Sequence, residues 1–315
     1  MKIKNVLLIA KPWRGGLADY VFRALQAEFG SGVRWLPTYP MDHVQKLLYR
    51  KNRKLWRDNL LRDIRNAPCE LALFINILPE FFDLPHSHKN VLWLTDDPRS
   101  VAPHLHAFPT IFLSDPGYLA EFEALLPHSP NVAVLPFACD PELHTQIQPN
   151  TNNGMCFLGN RDPKRTRHLS VLLEQGKDIK IYGNYFFSTR LFWKYVKNFR
   201  PKINISEMSK IYSNFSSSLN VHAQVVRHGT NMRTFECAAI GIPQLVEYRP
   251  HLEDYFLPGE DISVYNNEKD LCENYEEFIF DKKLQLSMIQ SSRKKVLESH
   301  TYKNRIQSII EQLKS

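Results

Sequence analysis

Cysteine is scarce: Cys69, Cys139, Cys156, Cys237 and Cys272 are the only five, and no two form a CxxC pair. An odd number of widely separated cysteines argues against a disulfide framework and a zinc site, and suits small core residues in a reducing compartment. No stretch approaches the ~18 uncharged apolar residues of a membrane span. The first apolar run, Val6–Ala10, stops at Lys11-Pro12, which is too short for a secretory h-region and reads as a buried first strand. Low-complexity tracts and short-period repeats are absent. So are the dinucleotide-binding glycine fingerprint and the Walker A lysine–serine pair. The adjacent acids Asp96-Asp97, followed at once by Pro98, are not a spaced metal-binding DxD. Acids are in deficit, 33 against 40 Lys and Arg, so the net charge is +7. That balance is compatible with an anionic substrate, a membrane surface or nucleic acid, and does not choose among them.

What is present is an alternation of strands and helices. At ~100–200 residues per domain, 315 residues suggest two domains. Val6–Ala10, Val33–Leu36, Leu71–Asn76, Val91–Thr95, Thr110–Leu113 and Val132–Leu135 are largely continuous rather than alternating apolar runs, as expected of parallel strands covered on both faces. Leu17, Tyr20, Val21, Ala24, Leu25 and Phe29 line one face of a helix that ends at Gly30. A polar stretch rich in proline and asparagine, 141–154, reads as a linker. Beyond it come Met155–Leu158, Ile179–Tyr182, Leu219–His222, Pro243–Val246 and Ile262–Val264. The expected organisation is α/β. It has an N-terminal doubly wound domain over 1–140, a second over 155–298, and a C-terminal helix in 299–315 that could pack back on the first. Two such domains would face a central cleft and bind ligand at the carboxyl ends of their strands.

Three loops carry phosphate chemistry. The first, Lys11–Asp19, holds Trp13, Arg14, Gly15 and Gly16 between strand and helix, where backbone can approach an anion. A tight turn would also explain its glycines. The second follows Leu158: Gly159 ends the strand, and Arg161, Lys164, Arg165 and Arg167 crowd the next eight positions. Cations at a helix N-terminus oppose the macrodipole, so an anionic ligand that offsets them is one reading and a solvated basic face the other. The third is Arg227-His228-Gly229-Thr230-Asn231, leading into a helix to Ile240 that Thr230 or Asn231 can cap and Gly241-Ile-Pro243 can end. The Gly229–Asn231 amides make a diphosphate cradle. Arg233 and Glu236, about one turn apart, can clamp a phosphate and accept two ribose hydroxyls, or form a plain surface pair.

The stretch Asn231–Pro243 (NMRTFECAAIGIP), with Glu253–Ile262 and Tyr265, resembles the C-terminal domain of GT-B glycosyltransferases. Val132–His144, Phe157–Asn160 and Trp93–Pro98 also fit that class, in particular its CgeB-like group, named after a spore maturation protein. The resemblance implies two Rossmann-like domains, a nucleotide-sugar donor on the second, an acceptor on the first, and no cofactor or metal. It implies that Glu236 holds the donor ribose, that Gly229, Thr230 and Asn231 face the diphosphate, and that Gly183 and Asn184 meet the base and ribose. Gly159, Asn160, Lys164, Arg165, Arg227 and Arg233 complete the donor side. Arg14, Gly15, Gly16, Asp96 and Asp97 form the acceptor side. Many retaining members carry a glutamate eight positions before the one matched by Glu236. Position 228 is His here, so the stereochemistry stays open and His228 becomes a candidate for phosphate or sugar contact. An inverting enzyme needs a general base, for which Asp19 is the first candidate, although an acid in a first helical turn also simply suits the dipole.

Two basic segments could touch anionic lipid. In 42–65, eight Lys and Arg residues interleave with Val44, Leu47, Leu48, Leu55, Trp56, Leu60 and Leu61, as in a basic amphipathic helix. Phe186–Arg200 is the second, with Arg190, Trp193 and Lys194. No RRM, KH, zinc-finger or clear helix-turn-helix pattern supports nucleic acid as a partner. The expectation is a cytoplasmic glycosyltransferase acting on a cell-surface glycan or glycolipid, with peripheral attachment to the inner face of the membrane an option. A GT-B-like nucleotide-sugar epimerase and a non-catalytic nucleic-acid- or lipid-binding module remain the alternatives.

Overall fold

The computed structural model describes residues 3–12, 16–40, 43–76, 89–126, 130–150, 154–185 and 189–314. The chain divides into two units, Met1–Pro136 with Tyr302–Ser315, and Phe137–Thr301.

The first unit is built on a six-stranded, all-parallel sheet. Its strands are β1 (Val6–Ala10), β2 (Val33–Pro37), β3 (Leu71–Ile75), β4 (Asn90–Leu94), β5 (Thr110–Leu113) and β6 (Asn131–Val134), in the order β2-β1-β3-β4-β5-β6. Every residue of β1, β3, β4 and β5 is buried, whereas the edge strands β2 and β6 are only partly covered. This explains the unbroken apolar runs, because a central parallel strand has no solvent face. Each buried Leu or Ile contributes about 1.5–3 kcal/mol.

Helix α1 (Leu17–Phe29) follows β1 and ends at Gly30, whose φ of 59° favours glycine. The basic segment forms two helices rather than one, α2 (His43–Lys51) and α3 (Arg53–Asn66). The break falls at Asn52, whose side chain accepts from Leu55 N at 3.0 Å and so caps α3. Helix α4 (Leu119–Leu125) joins β5 to β6.

The second unit repeats the plan with β7 (Met155–Leu158), β8 (Ile179–Tyr182), β9 (Phe199–Arg200), β10 (Ser217–Asn220), β11 (Gln244–Glu247) and β12 (Ser263–Tyr265). Their order is β12-β11-β10-β7-β8-β9, again all parallel. Counted from its own first strand this is 3-2-1-4-5-6 reversed, the doubly wound dinucleotide-fold order. The helices are α5 (Pro163–Glu174), α6 (Arg190–Lys194), α7 (Met208–Tyr212), α8 (Met232–Ile240), α9 (Glu268–Phe280) and α10 (Lys282–Ser299).

β9, two residues long, is too short to leave a periodic signal. β10 begins two residues earlier than its apolar pattern suggests. Ser217 and Ser218 are fully buried, and the Ser218 hydroxyl donates to Pro243 O at 3.4 Å, so polar residues extend the strand inward. That shift leaves Val221 and His222 beyond the strand, in the loop.

The expected linker is not a free tether. The chain crosses between units at Pro136–Phe137, and the residues after it belong to the second unit. Ile147 N donates to Ile240 O at 3.0 Å and Asn150 N to Phe215 O at 3.0 Å, so the polar backbone is spent on that unit, at the end of one helix and in the turn before β10. Residues 151–153 lie outside the described residues.

The last helix, α11 (Tyr302–Gln312), belongs to the first unit. Tyr302 is buried, with its ring centroid 5.3 Å from that of Tyr20 on α1 and 6.4 Å from that of Trp93 on β4. Arg305 Nε donates to Pro136 O at 2.9 Å. Residues distant in sequence therefore complete the first core. Tyr302→Ala should cost about 3–5 kcal/mol, the range for deleting a buried aromatic. Urea unfolding checks it, and a loss under 1 kcal/mol would show that α11 is dispensable to the unit.

Candidate functional site at the carboxyl edge of the second sheet

β7 lies between β10 and β8, and the connections leaving β7 and β10 run to opposite sides of the sheet. Such a switch point opens a crevice at the carboxyl ends of the two strands. Three chain segments meet there: 159–164 after β7, 221–231 after β10, and the end of β11.

The segment after β7 is held tightly. Gly159 N donates to Tyr182 O at 3.0 Å. A Cβ on Gly183 would stand 2.0 Å from Gly159 O, so only glycine fits that approach. Asn184 Oδ1 accepts from Arg161 N at 2.5 Å, tying the β8 loop to the β7 loop. Asp162 caps α5, accepting from Lys164 N at 3.0 Å and Arg165 N at 3.3 Å, with Pro163 in the first turn.

Two of the crowded cations after Gly159, Lys164 and Arg165, have protein partners. Arg165 Nε donates to Val221 O at 2.9 Å and its Nη1 to Asn160 O at 3.2 Å. Lys164 Nζ lies 2.5 Å from Glu247 Oε1, and Arg249 Nη2 lies 2.8 Å from the same oxygen. Glu247 Oε2 accepts the His222 amide at 3.0 Å. Burial pushes the Glu247 carboxyl up to about 8, opposed by the His222 amide and by Arg165.

His222 is fully buried, and burial together with Arg165 lowers its pKa to about 3, so the ring is neutral. Its Nδ1 lies 2.9 Å from Asn231 Nδ2, which also donates to Asn220 Oδ1 at 2.7 Å. With Nδ1 accepting, the ring proton sits on Nε2, a buried donor with no hydrogen-bond partner among the described residues. Such an orphan costs about 1–3 kcal/mol. Sequence reasoning missed His222, Glu247 and Arg249. His222 reads as the end of a strand, and Glu247 and Arg249 as ordinary residues after an apolar run.

Asn231 is the N-cap of α8, with its side chain accepting from Thr234 N at 3.2 Å. Gly241, at φ 80°, ends the helix in the left-handed conformation. Thr230 and Gly229 are both buried, and the Thr230 hydroxyl lies 2.5 Å from that of Thr234. Arg227 is half-buried and His228 exposed, and the His228 ring stacks on His251 with centroids 6.2 Å apart.

The Arg233–Glu236 pair is an interior pair rather than a surface one. Glu236 is 0% exposed, with Oε2 2.6 Å from Arg233 Nη1 and Oε1 3.6 Å from His144 Nε2. His144 Nδ1 accepts the Asp140 amide at 3.0 Å, so the proton on Nε2 faces the carboxylate. Burial lowers the His144 pKa, with Glu236 opposing.

On the first unit, Gly16 precedes α1 and accepts from Asp19 N at 3.0 Å, and Asp19 is half-buried in the first turn. Trp13, Arg14 and Gly15 lie outside the described residues. Asp97 is bound by Arg99, with Nη2 at 2.5 Å. Asp96 Oδ2 accepts from Asn76 Nδ2 at 3.3 Å. Asn76, which the sequence did not flag, is the only non-glycine at positive φ (49°) among the described residues, and its side chain accepts from Thr95 N at 2.9 Å. Backbone strain of this kind clusters at ligand sites. Among the described residues, no three His, Cys, Asp or Glu side chains are arranged to hold a metal ion.

Residues 165–311 match a family described as glycosyl transferase-like. No curated protein matches the chain in sequence. Among solved structures, Anabaena Alr3699/HepE in complex with UDP and glucose superposes with a TM-score of 0.71 at 10% identity, covering 99% of both chains. WaaG, a glycosyltransferase of lipopolysaccharide biosynthesis, gives 0.64 at 13% identity, covering 96% of this chain and 98% of that one. TarM of S. aureus gives 0.58 at 10% identity, covering 78% of this chain and 55% of its own. The fold is therefore that of the GT-B glycosyltransferases.

Removing one partner of a buried ion pair strands the other charge, at a cost of about 3–5 kcal/mol. Glu236→Ala should lose stability of that order, because Arg233 keeps its charge without its carboxylate. Glu236→Gln, which keeps the shape, should lose about 1–3 kcal/mol. Equilibrium urea unfolding measures both, and an Ala protein as stable as wild type would mean the pair is not held in solution.

Proposed function

We propose that this chain, with its GT-B fold and glycosyl transferase-like second half, moves a sugar from a nucleoside-diphosphate sugar to a cell-surface glycan or lipid-linked acceptor, without a metal ion. The observation that carries the reading is the cluster at the switch point of the second sheet. Lys164, Arg165 and Arg249, the capped start of α8 and the orphaned His222 donor converge on one crevice, which suits an anion of two or more charges. The complex of HepE with UDP and glucose makes UDP the first nucleotide to try. The CgeB-like motifs support that subgroup.

In such a transfer the bond from the anomeric carbon to the diphosphate oxygen breaks, and a bond to an acceptor hydroxyl oxygen forms. The transition state has oxocarbenium character, and negative charge builds on the leaving phosphate. Fixed cations and amides there stabilise that charge without reorganising. Gly183 and Asn184 would meet base and ribose, and His228 would contact phosphate or sugar. The ribose role of Glu236 requires its carboxylate to exchange Arg233 for two hydroxyls. Asp19 would take the acceptor proton if the reaction inverts.

Peripheral contact with the cytoplasmic face of the membrane belongs to the same reading. Val44, Leu47 and Leu55 are exposed beside Arg50, Lys51, Arg53 and Lys54, and Trp193 is exposed beside Lys194. Among the described residues no helix is long and apolar enough to cross a membrane.

Thermal unfolding with UDP, GDP, dTDP and CMP sugars, all in EDTA, tests the donor. A ligand at 100 times its Kd adds about 2.7 kcal/mol of apparent stability. UDP-glucose should stabilise the protein, and turnover should survive chelation. If the product is inverted, Asp19→Asn should lower kcat by about 10²–10⁴-fold. An inverted product at an unchanged rate removes Asp19 from the mechanism. Salt-dependent DNA binding with no nucleotide-sugar stabilisation would overturn the enzyme reading.

A further inference from the structure

We propose that Glu247 is a positioning residue that holds Lys164 and Arg249 at the switch-point crevice of the second unit and gives them up to a bound diphosphate. The inference rests on the donor site proposed above and adds a residue that no motif marks.

Glu247 ends β11 and is 3% exposed. One carboxylate oxygen takes Lys164 Nζ at 2.5 Å and Arg249 Nη2 at 2.8 Å, and the other takes the His222 amide at 3.0 Å. A single side chain thus ties the start of α5, the loop after β10 and the chain beyond β11. The Lys164 and Arg249 side chains are 15% and 16% exposed, so solvent still reaches them from their protected side of the pair. Arg249 is also fixed through Nη1 to Tyr248 O at 2.7 Å. Without the carboxylate, two like charges would share one oxygen's place. A diphosphate offers the same acceptor chemistry with more charge. It can take over both cations while their backbones stay in place.

The exchange depends on the charge of Glu247. The groups around it are Lys164, Arg165 and Asp162 from α5, His222 after β10, Arg249 beyond β11, Tyr265 on β12 and Glu268 on α9. Burial raises the carboxyl to about 8, and Glu268 and Asp162 add to this, while the His222 amide and Arg165 oppose it. His222 stays neutral, since its own value is about 3. Below pH 8 a proton can take the place of the cations on Glu247, so they pass readily to the phosphates. Above it the carboxylate is charged and competes with the phosphates. A ligand that needs the protonated form has its affinity divided by the protonated fraction.

The test is calorimetric titration of inorganic pyrophosphate and of UDP, in EDTA, from pH 7 to pH 9, on wild type and Glu247→Gln. Both proteins see the same ligand ionisation, so the difference between their profiles belongs to the protein. Relative to Glu247→Gln, wild-type affinity should fall roughly tenfold over that range, as expected for a group titrating near 8. Lys164→Met should shrink the wild-type fall. Parallel profiles overturn the proposal, as does a Gln protein that folds and binds neither ligand at any pH. Should the Gln protein not fold, a wild-type affinity for pyrophosphate that does not fall between pH 7 and 9 overturns it alone. Pyrophosphate binding with the step but no preference for UDP leaves this inference standing and removes the nucleotide-sugar reading. UDP binding without the step does the reverse.

Discussion

The buried carboxylate of Glu247, with a cation on each side and a backbone amide behind it, is the contact on which the second unit's site depends. An ionised group this deep is costly unless it is paired and hydrogen-bonded. Lys164, Arg249 and the His222 amide supply that compensation, and in doing so they fix three loops from three different strands. The loops can be short because each follows a parallel strand whose register is set by its buried neighbours. The neutral His222 and the Asn220–Asn231–Thr234 network fill the space beside it and orient the start of α8. In the proposed donor site, stability and anion affinity would draw on the same few side chains.

The first unit is organised differently at the corresponding edge. Its sheet order is β2-β1-β3-β4-β5-β6, so the switch falls between β1 and β3. There the chain places Gly16 and α1 on one side and Asn76, at positive φ, on the other. Asn76 knits Thr95 and Asp96 to the end of β3, while Arg99 neutralises Asp97. Among the described residues this edge is lined by hydrogen-bonded polar side chains.

Much of the fold was legible because parallel strands buried on both faces leave unbroken apolar runs. β1, β5, β7 and β8 have the bounds their sequences suggest, and α8 has the cap, length and stop that Asn231, Gly241 and Pro243 encode. The loops after β7 and β10 stood out in the sequence through glycine and clustered cations, and the structure brings both to one edge of the sheet. What escaped were features whose meaning is set in three dimensions. Ser217 and Ser218 look like loop residues until their burial in a strand is known. The linker looks free until its amides find α8 and Phe215. Glu247 and Arg249 are unremarkable in sequence because their partners, Lys164 and His222, lie 83 and 25 positions from Glu247. Glu236 was legible as an Arg-paired acid, but its full burial was not.

The central claim is that a nucleoside diphosphate sits at the carboxyl edge of the second sheet, between the loops after β7 and β10. Amide hydrogen exchange read by mass spectrometry, with and without saturating UDP, addresses it directly. Opening free energies differ from segment to segment, so a bound ligand marks its own loops. Slowed exchange should be concentrated in 159–166 and 221–234. Protection confined to α2 and α3, or to the loops of the first sheet, would contradict the assignment.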